Sequence, residues 1–288
     1  MMDKKSLIKY ILALLLFGSN GIVASYIALG SYEIVFLRTF IGSVFLAVLF
    51  LLGKGTFHIK ENKRDTIFIV LSGIAMGTSW MFLYEAYQQI GVSFASLLYY
   101  CGPVIVMILS SVIFQEKLTI SKTAGFIVVL IGIILVNGNT SESSNNIWGL
   151  FCGGMSAVMY FFMVTCNKKA KKISGMENAV LQLVISFLTV AVFVGLKQGF
   201  IVRVLPDDWI WVFILGVLNT GIGCYLYFSS LSKIPVQTVA VCGYLEPLSA
   251  VVFANILLGE LLSPLQIVGA ICIIGGAMIG ELTGTKKR

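Results

Sequence analysis

GYLEPLSAVVFANILLGE, residues 243–260, is apolar along nearly its whole length, yet it holds Glu246 beside Pro247 in its interior and Glu260 at its end. The rest of the chain has the same character. Hydrophobic residues make up 58%, charged residues only 11%, and mean hydropathy is +0.96, against roughly 45–50% and 25% in a soluble domain. That composition specifies a membrane protein. Uncharged runs at 10–32, 66–84, 143–167, 178–196, 209–232 and 261–280 each approach or exceed the roughly 18 residues a spanning helix needs. Further apolar segments near 33–52, 94–114, 121–137 and 237–257 bring the expectation to ten transmembrane helices.

Lys4 and Lys5 before the first run, and Val23-Ala24-Ser25 near its end, invite a signal-peptide reading. The run is longer than the roughly 7–15 residues of a signal core, and it has a counterpart in the second half of the chain.

A shift of 144 residues, half the length, places Pro103 on Pro247, Glu116 on Glu260, Gly125 on Gly269, Gly132 on Gly276, Glu33 on Glu177 and Tyr100 on Tyr244. The local pattern repeats too: Glu116-Lys117-Leu118-Thr119 matches Glu260-Leu261-Leu262-Ser263, with a hydroxyl where the next helix begins. The expected domains are therefore 1–143 and 144–288, each of five helices. Five is odd, so the second unit enters from the opposite side and the halves form an inverted repeat. Lys and Arg concentrate in alternate loops, leaving only Lys197 and Arg203 on the other side, which predicts cytoplasmic N- and C-termini. The net charge of +7 thus reflects loops at the inner membrane face and calls for no nucleic-acid partner. The basic runs 60–64 and 168–172 are expected to meet lipid headgroups.

Pro103 with Glu116, Glu246-Pro247 with Glu260, the leucines and glycine-spaced helices that follow them, and Arg38 in the second apolar segment resemble the EamA-type repeat of the drug/metabolite transporter superfamily. Both copies match. The resemblance implies a ten-helix carrier with a central cavity that opens to alternate sides. It leaves the substrate open among amino acids, other metabolites and drugs, and it implies a cell-membrane location. Arg38 matches the family's arginine, whereas Glu85, within Tyr84-Glu85-Ala86-Tyr87, departs from the usual apolar pattern.

Proline lacks an amide hydrogen and crowds the carbonyl four residues back. Pro247 should free the carbonyl of Gly243, and Pro103 that of Tyr99, and such breaks belong against protein or a wet cavity. Pro103, Pro247 and Gly243 are the expected hinges. Glu246 is placed near the midplane, where an ionised carboxylate is costly unless solvated or paired. It either binds a cationic or amino group, takes up a coupling proton, or makes a structural hydrogen bond. Its counterpart is Gly102, so the repeat does not require it. Glu116 and Glu260 read instead as loop acids that organise turns, the latter before a Ser263-Pro264 helix start.

Arg38 and Glu85 are placed at similar heights, consistent with either an ion pair or separate roles. Trp80, Tyr84 and Tyr87 share a helix face, and Tyr100 and Tyr244 sit at equivalent breaks; these rings either line a substrate pocket or pack helices. Asn20 and Asn219 are further candidates. Gly73 to Gly77, Gly149 to Gly153 and Gly276 to Gly280 have the small-residue spacing of close helix contacts, within a monomer first and a homodimer second.

The six cysteines lack metal-ligand spacing, and the single histidine, His58, reads as solvated in a loop. No cofactor or metal is expected. With no Asp inside any apolar segment and no phosphate-binding loop, neither an intramembrane enzyme nor an ATP-driven pump fits. The reading is a secondary transporter that exports small organic solutes, with protons as a coupling partner. The alternatives are a flippase for a lipid-linked intermediate and a non-transporting scaffold.

Overall fold

The computed structural model describes residues 4–59, 61–90, 92–115, 120–137, 146–200, 202–258 and 264–282, and these residues form helices joined by turns and loops, with no strand among them. Glu116, Glu260 and Ser263, expected to shape turns, lie outside the described residues, as does most of the 139–146 linker.

Among the described residues, six helical runs are long and apolar enough to cross a membrane. The first joins α1 (Lys4–Gly18) and α2 (Asn20–Ser25) across a break at Ser19, whose hydroxyl takes the Leu16 carbonyl at 2.7 Å. Next come α3 (Ser31–Leu52) and α4 (Lys63–Ile90), then α8 (Ile147–Lys169) and α9 (Gly175–Lys197) after shorter elements. The sixth run ends in α10 (Trp209–Phe213), a π-helical stretch Ile214–Ile222 and α11 (Gly223–Leu231). Local chemistry sets several starts. Glu33 reaches back to the Gly30 amide at 2.8 Å to begin α3, and Asn146 accepts from the Trp148 and Gly149 amides at 3.1 and 3.3 Å to begin α8, each satisfying donors the helix leaves open.

Two apolar segments are broken in matching places. One is α5 (Val92–Tyr99) followed by α6 (Cys101–Ile113); the other is α12 (Val236–Cys242) followed by α13 (Leu245–Leu258). Pro103 and Pro247 each occupy the third position of the second piece. They sit where a helix has no use for an amide hydrogen, so the chain restarts instead of bending within a continuous helix. The Gly243 carbonyl, expected to be freed, accepts the Glu246 amide at 3.2 Å, a tighter three-residue turn. The remaining helices are α7 (Ile120–Asn137) and α14 (Pro264–Leu282).

In packing, α4 lies against α8 and α9, α3 against α9, α1 against α11 and α13, α6 against α8, and α7 against α14. Lipid tails supply no hydrophobic drive between helices, so close backbone approach and hydrogen bonds hold them. A Cβ on Gly73 would meet Ile185 at 2.7 Å and one on Gly77 the Ser186 carbonyl at 2.8 Å, while Gly149 and Gly153 fit against Ile90 and Leu98. These glycines therefore serve contacts inside the monomer. At the α7–α14 crossing a Cβ on Gly132 would meet the Gly269 carbonyl at 2.6 Å, and one on Gly276 the Gly125 carbonyl at 2.5 Å. Ser72 and Ser79 donate across to the Met163 and Ser156 carbonyls at 2.7 and 2.8 Å. A buried amide cluster of Asn167, Asn178 and Gln182 ties α8 to α9, and Asn178 reaches the Phe228 carbonyl at 3.2 Å. The outer surface is apolar, with Leu52, Ile120 and Leu196 among its most exposed side chains, as a lipid-facing surface requires.

Candidate functional site

The helix breaks frame a cavity of about 230 Å³ lined by α1 and α2 (Phe17, Gly18, Asn20, Gly21), α3 (Arg38), α4 (Met76, Trp80, Leu83, Tyr84, Tyr87), α5 with the residue after it (Ser96, Tyr99, Tyr100), α8 (Tyr160, Met163), α11 (Cys224, Tyr227, Phe228) and α13 (Glu246, Ala250). Glu246 stands in the first turn of α13, where the helix dipole favours a negative charge. Its place depends on Gly18, since a Cβ there would strike the Glu246 carbonyl at 2.8 Å and the Ala250 amide at 2.9 Å. Among the described residues the Glu246 carboxylate has no hydrogen-bond or ion-pair partner, although the Arg38 guanidinium acts on it electrostatically.

Arg38 is 5% exposed and tightly held. Its Nε donates to Thr220 Oγ1 at 2.9 Å, one terminal nitrogen reaches Asn20 Oδ1 at 3.4 Å, and the guanidinium lies 5.1 Å from the Trp80 ring centre. The π-helical stretch aims Thr220, whose hydroxyl donates to the Leu215 carbonyl five residues back at 2.8 Å and so keeps a lone pair for Arg38. Such local widening of a helix recurs at functional sites. The guanidinium fork retains further N–H groups in the cavity that Glu246 also lines.

Tyrosines close one end of the cavity. The Tyr160 and Tyr227 hydroxyls are 3.4 Å apart, the Tyr10 and Tyr227 ring centres 5.1 Å apart, and the Tyr10 hydroxyl donates to the Val239 carbonyl at 3.0 Å.

Of the residues singled out from sequence, Glu246, Tyr100, Trp80, Tyr84, Tyr87, Arg38 and Asn20 meet in this cavity. Three stand elsewhere. The Tyr244 hydroxyl donates to the Tyr100 carbonyl at 3.0 Å, and Asn219 bonds the Leu16 carbonyl and the Ser19 hydroxyl at the α1–α2 break. The Arg38–Glu85 ion pair is not formed. Glu85 turns to Lys197, Nζ to Oε2 2.6 Å, and also accepts from Trp148 and Gln89. His58, expected to be free in solvent, contacts Glu177: its amide donates to Oε1 at 2.6 Å and Nδ1 is 3.1 Å from Oε2.

Sequence reasoning missed Tyr227 and Phe228, yet a signal existed. The 144-residue shift carries Trp80, Leu83 and Tyr84 onto Cys224, Tyr227 and Phe228, and all six line the cavity. No cluster of three or more His, Cys, Asp or Glu that could hold a metal occurs among the described residues.

The EamA-like transporter family matches residues 4–138 and again 147–280. The chain belongs to that family. Members of the EamA-like family are transporters and not enzymes, so this chain is a multi-pass membrane transporter with a small-molecule substrate in a lipid setting. The uncharacterized transporter YxxF of Bacillus subtilis (strain 168) is 27% identical over 280 residues, 94% of this chain and 88% of the relative. A Streptantibioticus cattleyicolor protein named "Probable terminal-alkyne amino-acid exporter" is 25% identical over 84% of this chain and 81% of its own length. A solved crystal structure of 18% sequence identity superposes with a TM-score of 0.83, covering 98% of this chain and 99% of that one. The two chains thus share a fold.

Proposed function

We propose that this transporter is a secondary carrier that exports amino acids or similar amine-bearing metabolites, with Glu246 receiving the ammonium and Arg38 the carboxylate. One observation carries the reading: an acid without a partner among the described residues and a base with spare donors face the same aromatic-walled cavity. Leaving an ionised carboxylate unpaired inside a membrane costs about 3 kcal/mol or more, a cost that a bound cation or an acquired proton offsets. The aromatic faces of Trp80, Tyr84 and Tyr100 suit the organic part of the solute and its charge. Resemblance to a relative named as an amino-acid exporter is consistent with this substrate class.

In this reading ten spans form two inverted units, 1–143 and 144–288, with both termini cytoplasmic. The units rock about Pro103, Pro247 and Gly243 to expose the cavity to alternate sides. The Gly125/Gly276 and Gly132/Gly269 contacts, reciprocal under the 144-residue shift, support a pseudo-two-fold relation. Proton coupling assigns Glu246 a second duty between solute cycles. The carrier works as a monomer, or within a homodimer that leaves each cavity separate.

The test is uptake of a radiolabelled amino-acid panel into proteoliposomes, with and without an imposed pH gradient. Glu246→Gln and Arg38→Gln should each lower transport at least about tenfold, a change of about 1.4 kcal/mol. A wild-type rate and pH profile in Glu246→Gln would sink the assignment.

A further inference from the structure

On the opposite face of α4 from the transport cavity lies a second cavity, about 280 Å³, between α4, α8 and α9. It shares no lining residue with the first. Its walls are two helical stripes: Thr78, Phe82 and Glu85 on α4, and Thr189, Phe193 and Lys197 on α9. Spacings of three and four place each set on one helix face, and at about 1.5 Å per residue the groove is about 10–12 Å long.

We infer that this groove is a phospholipid site, with an acyl chain along Phe82, Thr189 and Phe193 and the headgroup phosphate on Lys197. The gradient along the groove has the polarity of a lipid. At the inner end the Thr189 hydroxyl is turned to the Ile185 carbonyl at 2.9 Å, leaving its methyl to face the groove. At the mouth lie Lys197, Glu85 and the half-exposed indole of Trp148, a residue type that collects at membrane interfaces.

Charge at the mouth selects the headgroup. The Glu85 carboxylate is filled by Lys197 at 2.6 Å, Gln89 at 3.1 Å and Trp148 at 3.2 Å, so it has little capacity left for an ammonium. An ammonium has three N–H donors. Lys197 gives one to Glu85 and one to the Tyr32 hydroxyl at 2.8 Å; the ammonium also lies 4.3 and 5.7 Å from the Tyr32 and Phe193 ring centres, and the third N–H has no oxygen or nitrogen acceptor among the described residues. With its side chain 42% exposed, Lys197 therefore presents a donor, which complements a phosphodiester.

Native mass spectrometry of the full chain in detergent tests this, with 1-palmitoyl-2-oleoyl-phosphatidylglycerol as one probe and the matching diacylglycerol, lacking phosphate, as the other. One phospholipid per chain should survive activation that strips surrounding lipid, and diacylglycerol should not. Thr189→Phe fills the groove and Lys197→Gln removes the charge; each should reduce retention about tenfold, equivalent to 1.4 kcal/mol. Thr78→Phe repeats the filling from the other wall should Thr189→Phe fail to fold. Equal retention by wild type and groove-filled protein, or of both probes, would overturn the inference. So would loss of a dimer mass in place of lipid, which would assign the groove to a second copy.

Discussion

The Tyr244 hydroxyl donates to the Tyr100 carbonyl at 3.0 Å, across a sequence separation of 144, so the two broken helix segments are tied to each other at their breaks. Tyr100 interrupts α5 and α6, and Tyr244 is fully buried beside the matching interruption of α12 and α13. Tyr244→Phe keeps the ring and removes the donor, leaving a backbone acceptor without its side-chain partner at a helix break. A stability loss of about 1–3 kcal/mol follows, visible as a lower midpoint of thermal unfolding in detergent.

The α7–α14 crossing should be sensitive at one glycine and tolerant at its neighbour. A Cβ on Gly276 meets the Gly125 carbonyl at 2.5 Å and the Val129 amide at 2.9 Å. Both are backbone, so the helices must separate. Gly276→Ala is expected to cost about 1–3 kcal/mol. Gly275 has nothing within 4 Å of such a Cβ, and Gly275→Ala should be neutral or stabilising. Comparing the two by thermal unfolding separates crossing geometry from helix propensity.

His58 gives a pH dependence outside the membrane. Its hydrogen bond to Glu177, reinforced by the charge of Glu177 and more weakly by Glu61, holds the imidazole above its ordinary pKa of 6.5. A raised folded-state value means that the added stability is complete below that ordinary pKa and disappears as pH rises through the folded value. His58→Gln should therefore lag wild type in resistance to limited proteolysis of the 53–62 loop at acidic pH. The two should converge as pH is raised above neutrality. Absence of a gap at every pH would show that the His58 amide bond to Glu177, which the Gln variant keeps, does the tethering alone.

Much of this was legible in the sequence because hydropathy and spacing are local quantities. Long apolar runs required helices, and Pro103 and Pro247 marked the breaks to within a turn. Glu246 was conspicuous as an acid far from either end of its apolar segment. What could not be read depends on rotation about helix axes and on partners distant in the chain. Lys197 looks like an ordinary loop cation until α9 brings it to Glu85, 112 residues away. Arg38 and Glu85 were expected at similar heights, but they line cavities on different sides of α4, because Trp80 and Tyr84 face the transport cavity with Arg38 while Glu85 faces the groove. The π-helical stretch has no composition signature, yet it sets where Asn219 and Thr220 point. Asn219 was a candidate for the cavity, and one extra residue in a turn suffices to aim it at the α1–α2 break instead.

That separation around α4 makes the charge pairs testable by exchange. Glu85 is paired with Lys197 and Arg38 with Thr220 and Asn20, so reversing the charges of Glu85 and Lys197 together should restore stability that either single reversal loses. Because Lys197 is 42% exposed, the coupling energy of the cycle should be about 1 kcal/mol or less. Exchanging Arg38 and Glu85 should restore nothing: the glutamate at position 38 would face the Trp80 ring and Asn20 without a cation, and the arginine at 85 would meet Lys197. Thermal unfolding of the two double variants and their four single variants distinguishes these outcomes. Recovery in the Arg38/Glu85 exchange would place those two residues in direct contact and displace Arg38 from the cavity wall.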